Sequence, residues 1–100
     1  MYKIEYRNEA IADIREIMAW YEGQKENLGT EFRVELEERI LLLKRYPKIA
    51  QVVAKNIRRI ALKRFSAYGV FYSVNEQKQD VQILAIMHSS RNPKHWKNRQ

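Results

Sequence analysis

The side chains with the most chemical potential are four cations packed into one short segment, Arg58 and Arg59 followed by Lys63 and Arg64. Guanidinium groups hold phosphate or carboxylate oxygens through paired hydrogen bonds. Such a cluster therefore suits a phosphodiester backbone or the Asp/Glu-bearing tail of a protein, and the two roles are not exclusive. No carboxylate stands between Arg39 and Asn75 to neutralise it. Further on, His88 and Arg91 precede His95 and Trp96. His88 also reads as a hydrogen-bonded residue closing a strand. The lysines beside His95 disfavour its protonated form, and the indole of Trp96 cannot exchange a proton near neutral pH.

The charge around this segment is lopsided. Of the net +7, residues 1–38 carry ten acids against five bases, a balance of −5, and residues 39–100 carry fourteen bases against two acids, a balance of +12. A field of this shape favours nucleic acid or an acidic protein segment; the bland alternative is a solubilising face. There is no cysteine, which excludes disulfides, thiolate zinc sites and cysteine nucleophiles. Two histidines with few acids near them make a poor metal set, so neither metal nor other cofactor is expected. Apolar runs such as Ile83 to Met87 reach only five residues, too short to span a membrane, and the N-terminus lacks the features of a signal peptide. A cytoplasmic location is the expectation. The chain length suits one compact domain over residues 1–100, and the 45% apolar content is that of a folded protein.

Several elements must position the cations. Tyr2, Ile4 and Tyr6 alternate with Lys3, Glu5 and Arg7, the period-2 pattern of a short strand. Asn8 then suits a helix cap, and Ile11, Ile14, Ile17, Met18 and Tyr21 recur at helical spacing, with Asp13, Arg15 and Glu16 toward water. Gly23 to Gly29 reads as the break between helices. Thr30 suits the cap of a second helix with Phe32, Leu36, Ile40 and Leu43 on one face, which must end before Pro47. Ile57 to Phe65, Tyr68 to Val74 and Val81 to Met87 read as three strands, the last apolar on both faces and hence central. The expected fold class is α+β in the order β-α-α-β-β-β, with a helical hairpin packed on a small antiparallel sheet to which the N-terminal strand is added. If the first of the three strands runs unbroken, Arg58 and Arg64 share a face with Ile60 and Leu62, and Arg59 and Lys63 lie on the other. Phe65, Phe71 and Tyr72 are expected in the core.

Particular residues sharpen this reading. Trp20-Tyr21-Glu22-Gly23-Gln24 is followed by Leu28-Gly29 and Phe32; Ile57 to Phe65 is followed by Tyr68-Gly69-Val70-Phe71-Tyr72; and His88 is followed by Arg91, Pro93 and Trp96. In this order and spacing, over residues 10–96, the chain resembles the RelE/ParE superfamily of type II toxin-antitoxin toxins, and most closely its ParE branch. That resemblance implies a toxin that poisons DNA gyrase by binding, without catalysing bond cleavage itself, and that a cognate antitoxin neutralises. The antitoxin would fold over the helical hairpin and the sheet edge, with Ile14, Trp20, Tyr21, Phe32 and Leu36 as its docking stripe. Arg58, Arg59, Lys63, Arg64, His88, Arg91 and Trp96 would face the target or its phosphates. The alternative branch implies an endoribonuclease that cuts mRNA in the ribosome, with Arg64 and Arg91 on the phosphate and His95 as acid or base. A third reading is a nucleic-acid-binding domain without toxicity.

Overall fold

The computed structural model describes residues 1–89. Strand β1 (Lys3–Tyr6) leads into helices α1 (Asn8–Gln24) and α2 (Leu28–Arg45), and the chain continues through β2 (Gln51–Ala54), β3 (Ile57–Ala61), β4 (Tyr68–Asn75) and β5 (Asp80–His88). The strands form one sheet in the order β1-β5-β4-β3-β2. β1 lies parallel to β5, and every other pair is antiparallel. The α+β class and the helical hairpin on one face of the sheet are as the hydrophobic periods require.

The second half holds four strands where periodicity indicates three. Gln51–Ala54 pairs with β3 through a tight turn at Lys55 and Asn56, with Lys55 at φ 46°. Its four residues show no alternation in burial, three exposed and one half-buried, because a bulge at Val53 breaks the register of an edge strand. β3 also stops at Ala61 and does not run on to Phe65. The cause is Glu35 on α2, whose carboxylate accepts the backbone N–H groups of Lys63 at 2.6 Å and Arg64 at 2.9 Å and draws this segment off the sheet toward the helix. The strand parity that would align Arg58 with Arg64 therefore ends before Arg64.

Both helix starts differ from the expected caps. Arg7, not Asn8, is the cap residue of α1, and its N–H donates to the Ile83 carbonyl at 2.9 Å, so the chain passes from sheet to helix without a side-chain cap. α2 begins at Leu28 after Asn27 (φ 70°), and Thr30 lies inside the helix. Glu22 of the preceding helix does the capping. Its two carboxylate oxygens accept the N–H groups of Asn27 (2.8 Å) and Gly29 (3.0 Å), a negative charge at the positive end of a helix. Gly29 restarts no helix; it lets the helices cross closely, since a Cβ there would sit 2.5 Å from the Met18 carbonyl oxygen. Gly23 lies within α1.

The main core lies between the helices and the sheet. Phe32, Leu36, Ile40 and Leu43 on α2 and Ala10 and Ile17 on α1 meet Ile60, Val70, Tyr72, Val81, Ile83 and Ile86. At one end four rings interlock: Tyr21 stacks on Phe32 with centroids 5.6 Å apart, and Phe65 meets Tyr21 at 4.8 Å and Phe32 at 5.3 Å, with Tyr68 beside them. The opposite face of the sheet gathers a smaller buried group of Ile57, Phe71, Leu84, Ala85 and Met87. Both faces of β5 are thus apolar, as expected, but the strand is second from the edge and β4 holds the central place. A bulge adds to this: Phe71 pairs with Ala85 and Tyr72 with Ile83, which leaves Leu84 as the extra residue and lets Leu84 and Ala85 both join the second group. Phe65, Phe71 and Tyr72 are buried, as expected. Among the described residues no helix is long and apolar enough to cross a membrane.

Candidate functional site

β3 carries Arg58 and Arg59 to opposite faces. Arg58 shares the helix side with Ile60, but its charge does not face solvent alone: Nη1 donates to the Ala50 carbonyl at 2.6 Å and the Lys48 carbonyl at 3.2 Å. Tyr72, from β4, donates its hydroxyl to the neighbouring Pro47 carbonyl at 2.8 Å. Together they fasten the 47–50 connection to the sheet. Burial pushes the Tyr72 phenol above its ordinary ionisation range, against the pull of the Ala50 backbone and the Arg58 charge.

Arg59 points to the other face, with the small apolar group. Its guanidinium carbon lies 5.7 Å from the centre of the Phe71 ring, within range of a cation–π contact. Across the ladder Ala61 pairs with Gly69, and the guanidinium extends over that glycine: a Cβ on Gly69 would stand 2.4 Å from Nε and 2.5 Å from Cζ. The side chain is half-buried, and among the described residues it joins no ion pair.

Lys63 and Arg64 lie beyond the strand, at the α2 side of the sheet. Arg64 pairs with Glu31 through Nη1, and its guanidinium sits 5.1 Å over the Phe65 ring. The hydrogen bond from Arg64 is the main reason that the Glu31 carboxyl is held below the usual carboxylate range. Lys63 is exposed. Arg39, on α2, donates to the Ala61 carbonyl at 3.1 Å. The four cations that sequence places in one cluster therefore occupy three places, and they do not converge on one point.

His88 ends β5 and meets Tyr68 edge-to-face at 5.3 Å. Both border a cavity of about 230 Å³ with Asp13, Glu16 and Trp20 of α1 on its other side. Spacing alone assigns Asp13 to solvent. Instead its carboxylate accepts the Ile86 N–H at 3.0 Å, on the edge of β5 that β1 is too short to cover. The steps of three and four from Asp13 through Glu16 to Trp20 put them on one helix face, the available signal for this cavity. Of the expected antitoxin stripe, Trp20 is 58% exposed, Ile14 and Tyr21 are half-buried, and Phe32 and Leu36 are enclosed in the core. These five do not form one accessible surface. Arg91, His95 and Trp96 lie outside the described residues. Among the described residues no three acids or histidines converge to hold a metal ion.

A family model described as the ParE toxin of the type II toxin-antitoxin system parDE matches residues 4–93. No curated protein sequence matches the chain. Among solved structures, the fold is similar to a chain of the chromosomal ParDE toxin-antitoxin system from P. aeruginosa, with TM-score 0.76 and 18% identity, covering 88% of this chain and 96% of that one. It is also similar to a chain of the intact E. coli RelBE toxin-antitoxin complex, with TM-score 0.70 and 18% identity over 91% of this chain and 100% of the other. The isolated E. coli RelE toxin gives a TM-score of 0.69 and 19% identity over 98% and 95% of the two chains.

Proposed function

We propose that this chain, which belongs to the ParE toxin family of type II toxin-antitoxin systems, halts growth by binding DNA gyrase and is kept silent by a cognate antitoxin. Membership makes it a type II toxin; the target and the mode of action are our reading. The observation that carries it is the dispersal of the cations among the described residues. Arg58 is bound to backbone carbonyls, Arg59 lies over Phe71 and Arg64 is paired with Glu31. Phosphoryl chemistry calls for cations that meet at one pentacoordinate phosphorus, whereas recognition of a large partner is served by separate charged points on a rigid scaffold. The gradient from acidic first third to basic remainder adds long-range attraction for an anionic complex such as gyrase holding DNA.

A second reading, ribosome-dependent cleavage of mRNA, is favoured by one feature: Tyr68 and His88 bring a phenol and an imidazole together at the mouth of a cavity. Inducing the chain in growing cells separates the two. Under the gyrase reading, replication fails first, a DNA damage response follows, and supercoiling reactions with purified protein accumulate cleaved DNA. If translation stops first and transcripts are cut within codons, the gyrase reading is wrong. The antitoxin reading predicts that the product of the neighbouring reading frame co-purifies with the chain; a chain that binds no such product and is harmless on induction defeats it.

A further inference from the structure

We propose that the cavity at the β4–β5 turn binds a small hard cation of the magnesium type, with Asp80 as its one charged ligand and water completing the shell. The site is independent of the toxin's target. Asp80 opens β5 and is the one charged side chain buried among the described residues, 7% exposed. Its Oδ1 atom is enclosed and has no hydrogen-bond partner among them. A carboxylate oxygen cut off from water is costly unless a donor or a positive charge meets it. The neighbouring groups that could do so are turned to Glu5. Lys3, the ladder partner of Asp80 on β1, pairs with Glu5 at 3.1 Å, and Gln82 donates its Nε2 to Glu5 at 3.3 Å. The hydrogen bond from Lys3 is the main reason that the Glu5 carboxyl is held below its ordinary range, with a smaller part from the Lys78 charge.

Asp80 lines a cavity of about 410 Å³ whose walls also include Asn56, Ser73, Asn75, Gln77 and Gln82. Each of these offers an oxygen and none offers sulfur or imidazole, the donor set of a hard cation. The second acid in the wall, Glu76, is paired with Lys48, so one carboxylate is left for the ion. One carboxylate with several retained waters is a common way to hold magnesium, whereas calcium takes about six to eight oxygens. The volume suits a hydrated ion, since each water fills about 30 Å³. Three converging acids are therefore not required. The site lies where three strands meet: Asp80 pairs with Lys3 of β1 and Asn75 of β4, and the Lys3 N–H donates to the Gln79 carbonyl at 2.9 Å. A cation there fastens the N-terminal strand to the β4–β5 hairpin.

The test uses the full chain at constant ionic strength, with magnesium chloride, sodium chloride and methylammonium chloride as probes and manganese(II) as a paramagnetic stand-in for magnesium, all read by NMR. Magnesium is expected to shift the side-chain amides of Asn75 and Gln82 with a dissociation constant on the order of 1 mM. At about ten times that concentration it should raise the thermal midpoint by roughly 5 °C. Manganese should broaden the backbone amides of Ser73, Asn75 and Asp80 before any others. Asp80→Asn keeps the shape but removes the charge, and should weaken binding about tenfold and abolish the rise in midpoint. Lys78→Met removes a positive charge from the wall and should tighten binding roughly threefold, which water alone in the cavity would not produce. The proposal is overturned if manganese broadens residues around the exposed acids of the helices first, if sodium or methylammonium acts at the same concentration as magnesium, or if Asp80→Asn binds as the parent does. The manganese map is read on the parent chain, so it decides the matter even where a variant fails to fold.

Discussion

Arg58 and Arg59 are adjacent in the chain and face opposite sides of one sheet, and the contrast between those sides separates what the protein uses for folding from what it offers to others. On the helix side, Arg58 spends its hydrogen bonds on the carbonyls of Lys48 and Ala50, and Tyr72 adds a third bond to Pro47. On the other side, Arg59 contacts a ring and a glycine and, among the described residues, satisfies no backbone group. One arginine fastens a connection to the sheet, and its neighbour rests on a ring and a glycine.

The contrast would be tested most severely at Phe32, fully enclosed between helices and sheet. Phe32→Ala should destabilise the chain by about 3–5 kcal/mol in denaturant unfolding; a loss of less than about 1 kcal/mol would mean that the helices do not cover this face. Arg58→Ala should cost about 1.5–3 kcal/mol, because it leaves two carbonyls of the connecting segment without their charged donor. If the loss instead matches that of Arg59→Gln, expected within about 0.5 kcal/mol of the parent, the assignment of roles to the two faces collapses.

Smaller effects sharpen the same division. Tyr72→Phe should cost about 1 kcal/mol and should also change the alkaline limb of stability. The folded phenol ionises above its ordinary value of 10.0 because it is buried. Its contribution is therefore complete below that value and is lost as pH rises through the higher folded one; the phenylalanine variant should show a flatter decline in thermal midpoint there. The smallest change is expected at Glu31. Its carboxyl is depressed mainly by Arg64, so the pair contributes above the usual carboxylate value of 4.5 and fades as pH falls through the lowered one. An acid titration of Glu31→Gln should be slightly flatter than that of the parent, because an exposed pair is screened by water.

What could be read from the chain follows the same split. The repeat of Phe32, Leu36, Ile40 and Leu43 announces a buried helix stripe because burial demands a period, and all four are in the core. The apolar run of β5 likewise signals a strand covered on both faces, though not its place second from the sheet edge. Non-local carboxylates carry no such signature. Glu22 caps the next helix, Asp13 closes a bare strand edge and Glu35 ends β3, each across a distance that local spacing does not encode. The cation cluster was legible as chemistry but not as geometry, since its dispersal depends on where β3 stops. The role of Gly69 is similarly hidden: in the chain it reads only as a residue of the strand from Tyr68 to Val74, and only the ladder to β3 brings the Arg59 side chain over it.

The pairing of β1 with β5 has a temporal consequence. Lys3 to Tyr6 dock beside Asp80 to Ile83, so the earliest strand to leave the ribosome must wait for the latest before its ladder can form. The β-hairpins and the helical pair can assemble from neighbouring sequence, but this closure joins residues 3–6 to residues 80–83 and comes after them. A growing chain therefore lacks its finished scaffold until β5 has been made, and the two helices wait for the strand that completes the sheet beneath them.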